Sequence, residues 1–191
     1  LKNTRHCNNV KRKAYFSIRN LFNTFKNHDC RFYANLYICY VRPLLESASQ
    51  IWSPIQKGNI DGIESVQRYF TRRLPDLKDI PYLDRLKLLK LETLEARRIK
   101  SDLVLFYKML LGKTDIHVNS SYQFVHSYRG HNKTLFLHYS RTDKRKFFWI
   151  NRIVHHWNNL SYDIVNANTI SNFKAKLQSV NHIGRGSIYC A

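Results

Sequence analysis

Residues 36–54 read LYICYVRPLLESASQIWSP. Leu36, Tyr37, Tyr40, Val41, Leu44 and Leu45 recur at three- and four-residue intervals, the period of an amphipathic helix. Pro43 stands in the middle of that stripe, with Arg42 just before it. Proline has no amide proton and its ring meets the carbonyl four residues back. The helix is therefore expected to kink or restart at Pro43, run on to about Trp52 and stop at Ser53-Pro54. A cation at such a break has two uses. It can sit at a helix C-terminus, where positive charge is favoured, or it can reach an external phosphate. The core-type side chains around Arg42 put the structural use first, and Trp52 reads as a core anchor.

The same period organises the chain on both sides. Val10, Ala14, Ile18, Leu21, Phe22 and Phe25 predict a helix over about 10–27, with Lys11-Arg12-Lys13 at its entrance. Asn27-His28-Asp29 reads as a turn. Ile60, Ile63, Val66 and Phe70 stripe a third helix, with Asn59 as its expected cap. Pro75 and Pro81 bracket a connection, in which Asp76 and Asp79 read as turn and capping residues. Leu83, Leu86 and Leu89 mark a short fourth helix. Thr93 caps a long fifth one, striped by Ile99, Leu103, Phe106, Tyr107 and Leu110 and ended by Gly112.

After Gly112 the helical period lapses. Residues 113–145 carry Tyr, His, Ser and Asn, and Leu135 to Tyr139 alternate as a short strand would. Helix returns over about 145–159, with Phe147, Ile150, Val154 and Trp157, and again over about 171–180, with Ile170, Phe173 and Leu177 on one face. The fold class is mainly α: helices, an irregular basic segment, then further helices, with a boundary expected near 112–125.

Charge points to the partner. Lys and Arg number 32 against 13 acids, a formal net charge of +19 over 191 residues. That excess predicts an anionic partner, nucleic acid before membrane surface. It is uneven: residues 1–45 carry +8 and 116–162 carry +6, while 46–115 carry only +3. Single cations commonly just solvate a helix face, but that does not account for two same-sign blocks. Hydrophobic residues make up 43%, which excludes a disordered composition.

Catalytic chemistry finds no foothold. Two-metal phosphoryl transfer needs clustered carboxylates, and the acids here are scattered beside Lys or Arg. The six glycines are dispersed, so there is no phosphate loop. Cys7, Cys30, Cys39 and Cys190 lack zinc-type spacing, and Cys39 reads as a small core residue. Adjacent His155 and His156 point about 100° apart on a helix and cannot chelate one ion. No run is apolar enough to span a bilayer. A start at Leu1 rather than Met is read as a piece of a longer protein.

The candidate contact residues are therefore basic: Lys11, Arg12, Lys13, Arg129, His131, Lys144, Arg145, Lys146 and Arg152. Arg72-Arg73 and Arg97-Arg98 are further short clusters. Tyr122, Phe124 and Tyr128 precede Arg129, and aromatics interleaved with Arg suit single-strand stacking. Packing is the first reading for Phe124; for Tyr128 the two readings stand level.

Several segments together resemble one family in order. LYICYVRPLLESASQIWSP is similar to the LYK-x-LVRP-x-LEYAS-x-VWSP element that follows the polymerase core in jockey-like non-LTR retrotransposons (LINEs). IDGIESVQRYFTRRLPDLKDIPYLDRLKLLKLETLEARRIKSDLVLFYKMLLG resembles the family's next stretch. YRGHNKTL resembles its Arg-Gly-His element, DKRKFFWINRIVHHWNNL its Trp-Asn-x-Leu-Pro block, and NTISNFKAKL its closing block. The resemblance covers roughly residues 13–178. Ser47, Lys90 and Ser161 depart from the pattern, standing where the family usually has Tyr, often Gly, and Pro.

What the resemblance implies is a region downstream of the palm that holds the Tyr-x-Asp-Asp site. Residues 1–53 would be thumb-like basic helices, 54–112 a helical extension, and 113–191 a basic irregular segment plus C-terminal helices. The partners would be RNA, DNA or an RNA/DNA hybrid, together with the palm and fingers of the parent protein. The segment would be inert alone and hold no cofactor; the parent polymerase would need magnesium. An independent helical nucleic-acid-binding module is the alternative. A peripheral membrane protein fits least, because the Trp and Phe positions suit a core.

Overall fold

The computed structural model describes residues 3–26, 29–115, 122–125 and 131–180. The protein is mainly helical, with one two-stranded sheet among the described residues. It divides into two compact units, Leu1–Arg98 and Ile99–Ala191.

In the first unit, α1 spans Thr4–Thr24 and buries Cys7, Val10, Ala14, Ile18 and Leu21. The helix starts earlier than its stripe suggested because Cys7 extends that stripe by one turn. Lys11-Arg12-Lys13 therefore lies inside the helix, not ahead of it. Helix α2, Cys30–Leu36, is capped by Asp29, whose carboxylate accepts from the Arg31 amide at 2.8 Å.

The stretch around Pro43 resolves into several short pieces. A π-helical turn covers Tyr37–Val41, and the Arg42 amide bonds back five residues to the Tyr37 carbonyl. The wider turn meets the difficulty that proline creates, since Pro43 has no amide proton for the carbonyl four residues back. Helix α3, Arg42–Glu46, then restarts with proline in its first turn. Ala48 takes a left-handed backbone (φ 52), and the chain restarts once more as α4, Ser49–Trp52. Trp52 is buried, its indole donating to the Ser47 carbonyl at 2.7 Å. Cys39 is exposed, against the expectation of a core position.

Helix α5, Lys57–Arg72, buries the expected Ile60, Ile63, Val66 and Phe70. It also buries Glu64 and Gln67, which no apolar period could reveal. Gln67 accepts from the Tyr37 hydroxyl at 2.9 Å and donates to the Glu92 carbonyl at 2.9 Å and to the Tyr82 oxygen at 3.0 Å. Tyr82 in turn donates to Glu64, which also accepts from the Leu94 amide at 3.0 Å. Burial pushes the Glu64 carboxyl up, against the Tyr82 hydrogen bond and the Arg98 charge. Gln56, not Asn59, precedes α5; Asn59 lies within the first turn and donates to Thr4 at 3.1 Å. Helix α6, Tyr82–Leu88, turns Arg85 and Leu86 inward and leaves Leu83 exposed, contrary to its leucine stripe.

Helix α7 spans Leu94–Leu110, and the Thr93 hydroxyl accepts from the Ala96 amide at 3.2 Å, as a cap should. Gly112 follows at φ 62, the left-handed conformation that ends a helix. The division between units falls within α7 rather than near 112–125. Its residues from Ile99 onward, with Leu103, Phe106 and Tyr107, belong to the second core.

In the second unit, β1 (Phe124–Val125) pairs antiparallel with β2 (Thr134–Leu135), Phe124 opposite Leu135. The helix expected over 145–159 is two: α8, Asp143–Lys146, and α9, Trp149–Asn158. Helices α10, Tyr162–Val165, and α11, Ile170–Gln178, complete it. Trp157 is fully buried, edge-on to Phe106 at 4.8 Å, and Tyr107 stacks on Phe173 at 4.1 Å. The Asn158 amide closes over β2, accepting from the Leu135 amide at 2.9 Å and donating to its carbonyl at 3.0 Å.

Candidate nucleic-acid interface

A 21-residue helix with no acidic residue is the clearest basic surface. α1 carries Arg5, Lys11, Arg12, Lys13 and Arg19. Arg5, Arg12 and Arg19 are exposed and spaced by seven, so they follow one line along the helix opposite the buried stripe. Seven residues rise about 10.5 Å, which spreads the three cations along a strand-length surface. Phe16 lies between Arg12 and Arg19 and is 65% exposed, an aromatic face beside guanidinium groups. Sequence reasoning named Lys11, Arg12 and Lys13 but missed Arg5, Phe16 and Arg19. The seven-residue spacing was the available signal; it becomes meaningful only once the helix is known to begin at Thr4.

Lys11 is the least available of the triplet. Its side chain lies across Gly62 of α5, with Nζ 3.0 Å from where a Cβ on that glycine would sit. Lys13 is exposed like Arg12. Arg42 is partly buried, 3.9 Å from Glu46, which also pairs with Arg97. Burial, then the Arg97 charge, lowers its proton affinity. Its partner is thus a carboxylate one turn ahead, and not a helix C-terminus.

The second unit sorts the remaining candidates. Arg145 and Lys146 are exposed on α8, and the Asn151 amide donates to the Arg145 carbonyl at 2.7 Å and to the Ser140 hydroxyl at 3.4 Å. That clamp ties Ser140 and the start of α8 to α9. Around it Phe136, Tyr139 and Phe148 are exposed, Tyr139 at 89%. These aromatics, with Arg141, are the interleaved set here. Of the aromatics weighed for that role, Tyr122 packs edge-on against Phe106 at 5.2 Å, and Phe124, read first as a packing residue, lies edge-on to Tyr122 at 5.4 Å. Arg129 and Tyr128 lie outside the described residues, as does the side chain of Lys144.

His131 and Arg152 leave the contact list. His131 is 1% exposed; its Nδ1 accepts from the Lys133 amide at 3.2 Å, so Nε2 carries the proton toward the Trp157 carbonyl at 3.0 Å. It fastens the loop before β2 to α9. Arg152 donates to Asp102 at 2.6 Å and is spent on that buried partner. Both are basic residue types whose surroundings, not their identity, settle their role. Of the adjacent histidines His155 is exposed and His156 buried, with burial holding His156 down to about 4.

Among the described residues no group of three or more His, Cys, Asp or Glu could hold a metal ion. No described helix is long and apolar enough to cross a membrane. No protein-family model and no solved structure matches the chain. It is similar to an uncharacterized protein of Caenorhabditis elegans, 26% identical over 112 residues. The aligned part spans 57% of this chain and 57% of that protein.

Proposed function

We propose that the chain is a nucleic-acid-binding helical segment of the kind that follows the palm in LINE-type reverse transcriptases. It would hold RNA or an RNA/DNA hybrid by the backbone and carry no polymerase chemistry of its own. The observation that carries this reading is α1: five cations, no acid, and the exposed line Arg5, Arg12, Phe16, Arg19. A helix needing only solubility would mix its charges, as α6 does where Lys87 pairs with Asp84 at 2.9 Å. A helix that tracks phosphates gains from one sign, because each neutralised phosphate releases counterions. The ordered sequence blocks supply the family part of the proposal.

The test is binding of single-stranded RNA and of an RNA/DNA hybrid across a salt series. The parent chain is expected to bind at low salt with a steep log–log slope. Replacing Arg5, Arg12 and Arg19 together by Gln should flatten that slope by about two to three units. No binding at low salt, or a triple variant that keeps the parent slope, would sink the proposal.

A further inference from the structure

Arg85 is 6% exposed, yet its guanidinium forms no ion pair or hydrogen bond with any described residue, and its Nε–H is buried without a partner. Its guanidinium carbon lies 5.7 Å from the Tyr82 ring centroid, and that of Arg68 lies 5.0 Å from the same centroid. Stacking on a ring uses the face of a guanidinium and leaves its N–H donors, which lie in its plane, unsatisfied. Arg72, one turn beyond Arg68 on α5, is close enough to disfavour the charge on Arg85: burial lowers the proton affinity of Arg85 most, and Arg72 next. Among the described residues no carboxylate offsets it. Asp84, the adjacent acid, is paired with Lys87 at 2.9 Å, and Glu64 is engaged with Tyr82 and the Leu94 amide. A buried cation crowded by like charges and short of an acceptor is stable in a fold when an anion supplies what is missing.

We propose that Arg68 and Arg85, both over the Tyr82 ring, form with the neighbouring Arg72 a subsite for a phosphate oxyanion, filled in the working protein by one backbone phosphate of the bound nucleic acid. Arg85 supplies its terminal guanidinium N–H donors, its Nε being closed off by burial. Arg68 and Arg72, both exposed at the rim, supply charge and the entrance. Arg73 takes no part, being stacked on Phe22 at 4.5 Å and bonded to the Tyr69 hydroxyl. The source of the phosphate rests on the proposed function; the subsite itself does not.

The experiment follows the arginine Nε–H resonances of the full chain during titration with inorganic phosphate and, separately, with single-stranded RNA. The Arg85 resonance is expected to shift saturably in both. Arg72→Gln, at an exposed position, should weaken phosphate binding by about tenfold, the scale of a charge-assisted contact, and Arg73→Gln should leave it unchanged. Arg85→Lys keeps the charge but loses the fork, and should weaken phosphate binding while preserving the fold. An Arg85 resonance that responds to phosphate in a chain that binds no RNA would keep the subsite and remove the RNA reading. RNA binding with an unmoved Arg85 resonance would keep the RNA reading and overturn the subsite. Equal phosphate affinity in Arg72→Gln and the parent would also overturn it.

Discussion

Arg152 on α9 donates to Asp102 on α7 across fifty residues of sequence, at 2.6 Å, with the Asp102 side chain only 2% exposed. This pair takes a cation out of the basic block and makes it a structural residue. Removing one partner strands the other charge in the interior. Arg152→Ala is expected to cost about 3–5 kcal/mol of stability and to leave the salt dependence of nucleic-acid binding unchanged. Arg145→Ala with Lys146→Ala should do the reverse. Urea melts and salt series on the two variants check both halves; an Arg152→Ala chain of parental stability would remove the structural role.

Phe106 and Trp157 meet edge-on at 4.8 Å with an interplanar angle of 82°. Each change to Ala is expected to cost about 3–5 kcal/mol. The double variant should lose less than the sum, by about 0.5–1.5 kcal/mol, because the ring contact is counted twice in the single changes. Strict additivity in a thermal or denaturant cycle would mean the rings do not couple.

His156 makes the second unit sensitive to acid. Burial, with His155 and Arg152 adding to it, holds its folded pKa at about 4, against 6.5 ordinarily. Between those values the unfolded chain binds more protons than the folded one. Stability is therefore complete above pH 6.5 and is lost as pH falls toward 4, by about 3 kcal/mol. Glu64 and Glu95, whose carboxyls burial pushes up, act in the opposite sense. The difference between the parent and His156→Leu isolates the histidine: the variant should lose less stability between pH 7 and pH 4.5. Parallel pH profiles would contradict the assignment.

Ala48 sits at φ 52 on an exposed stretch between α3 and α4. A left-handed backbone costs a residue with a Cβ about 1–2 kcal/mol, while glycine gives back about 0.4–1 kcal/mol through its freer unfolded chain. Ala48→Gly should thus stabilise by about 0.5–1 kcal/mol. A fall in the melting temperature would show that the strain is absent.

By itself the sequence determined that the longer helices exist and which faces of α1, α5, α7 and α9 are apolar. Phe70, Phe106, Trp157 and Phe173 are all fully buried, on the faces their spacing predicts. Periodicity reports local geometry, and local geometry is what a 3.6-residue repeat encodes. It determined equally that Pro43 must interrupt a helix, since a missing amide proton is a property of the residue alone. The tertiary structure decided which polar and charged side chains are free. Arg12, Arg85 and Arg152 are one residue type with one intrinsic charge. They differ because α1 leaves Arg12 in solvent, Tyr82 and two other arginines enclose Arg85, and Asp102 meets Arg152 from fifty residues away. Only the fold brings such partners together, and a cation's role is set by the charge and solvent around it.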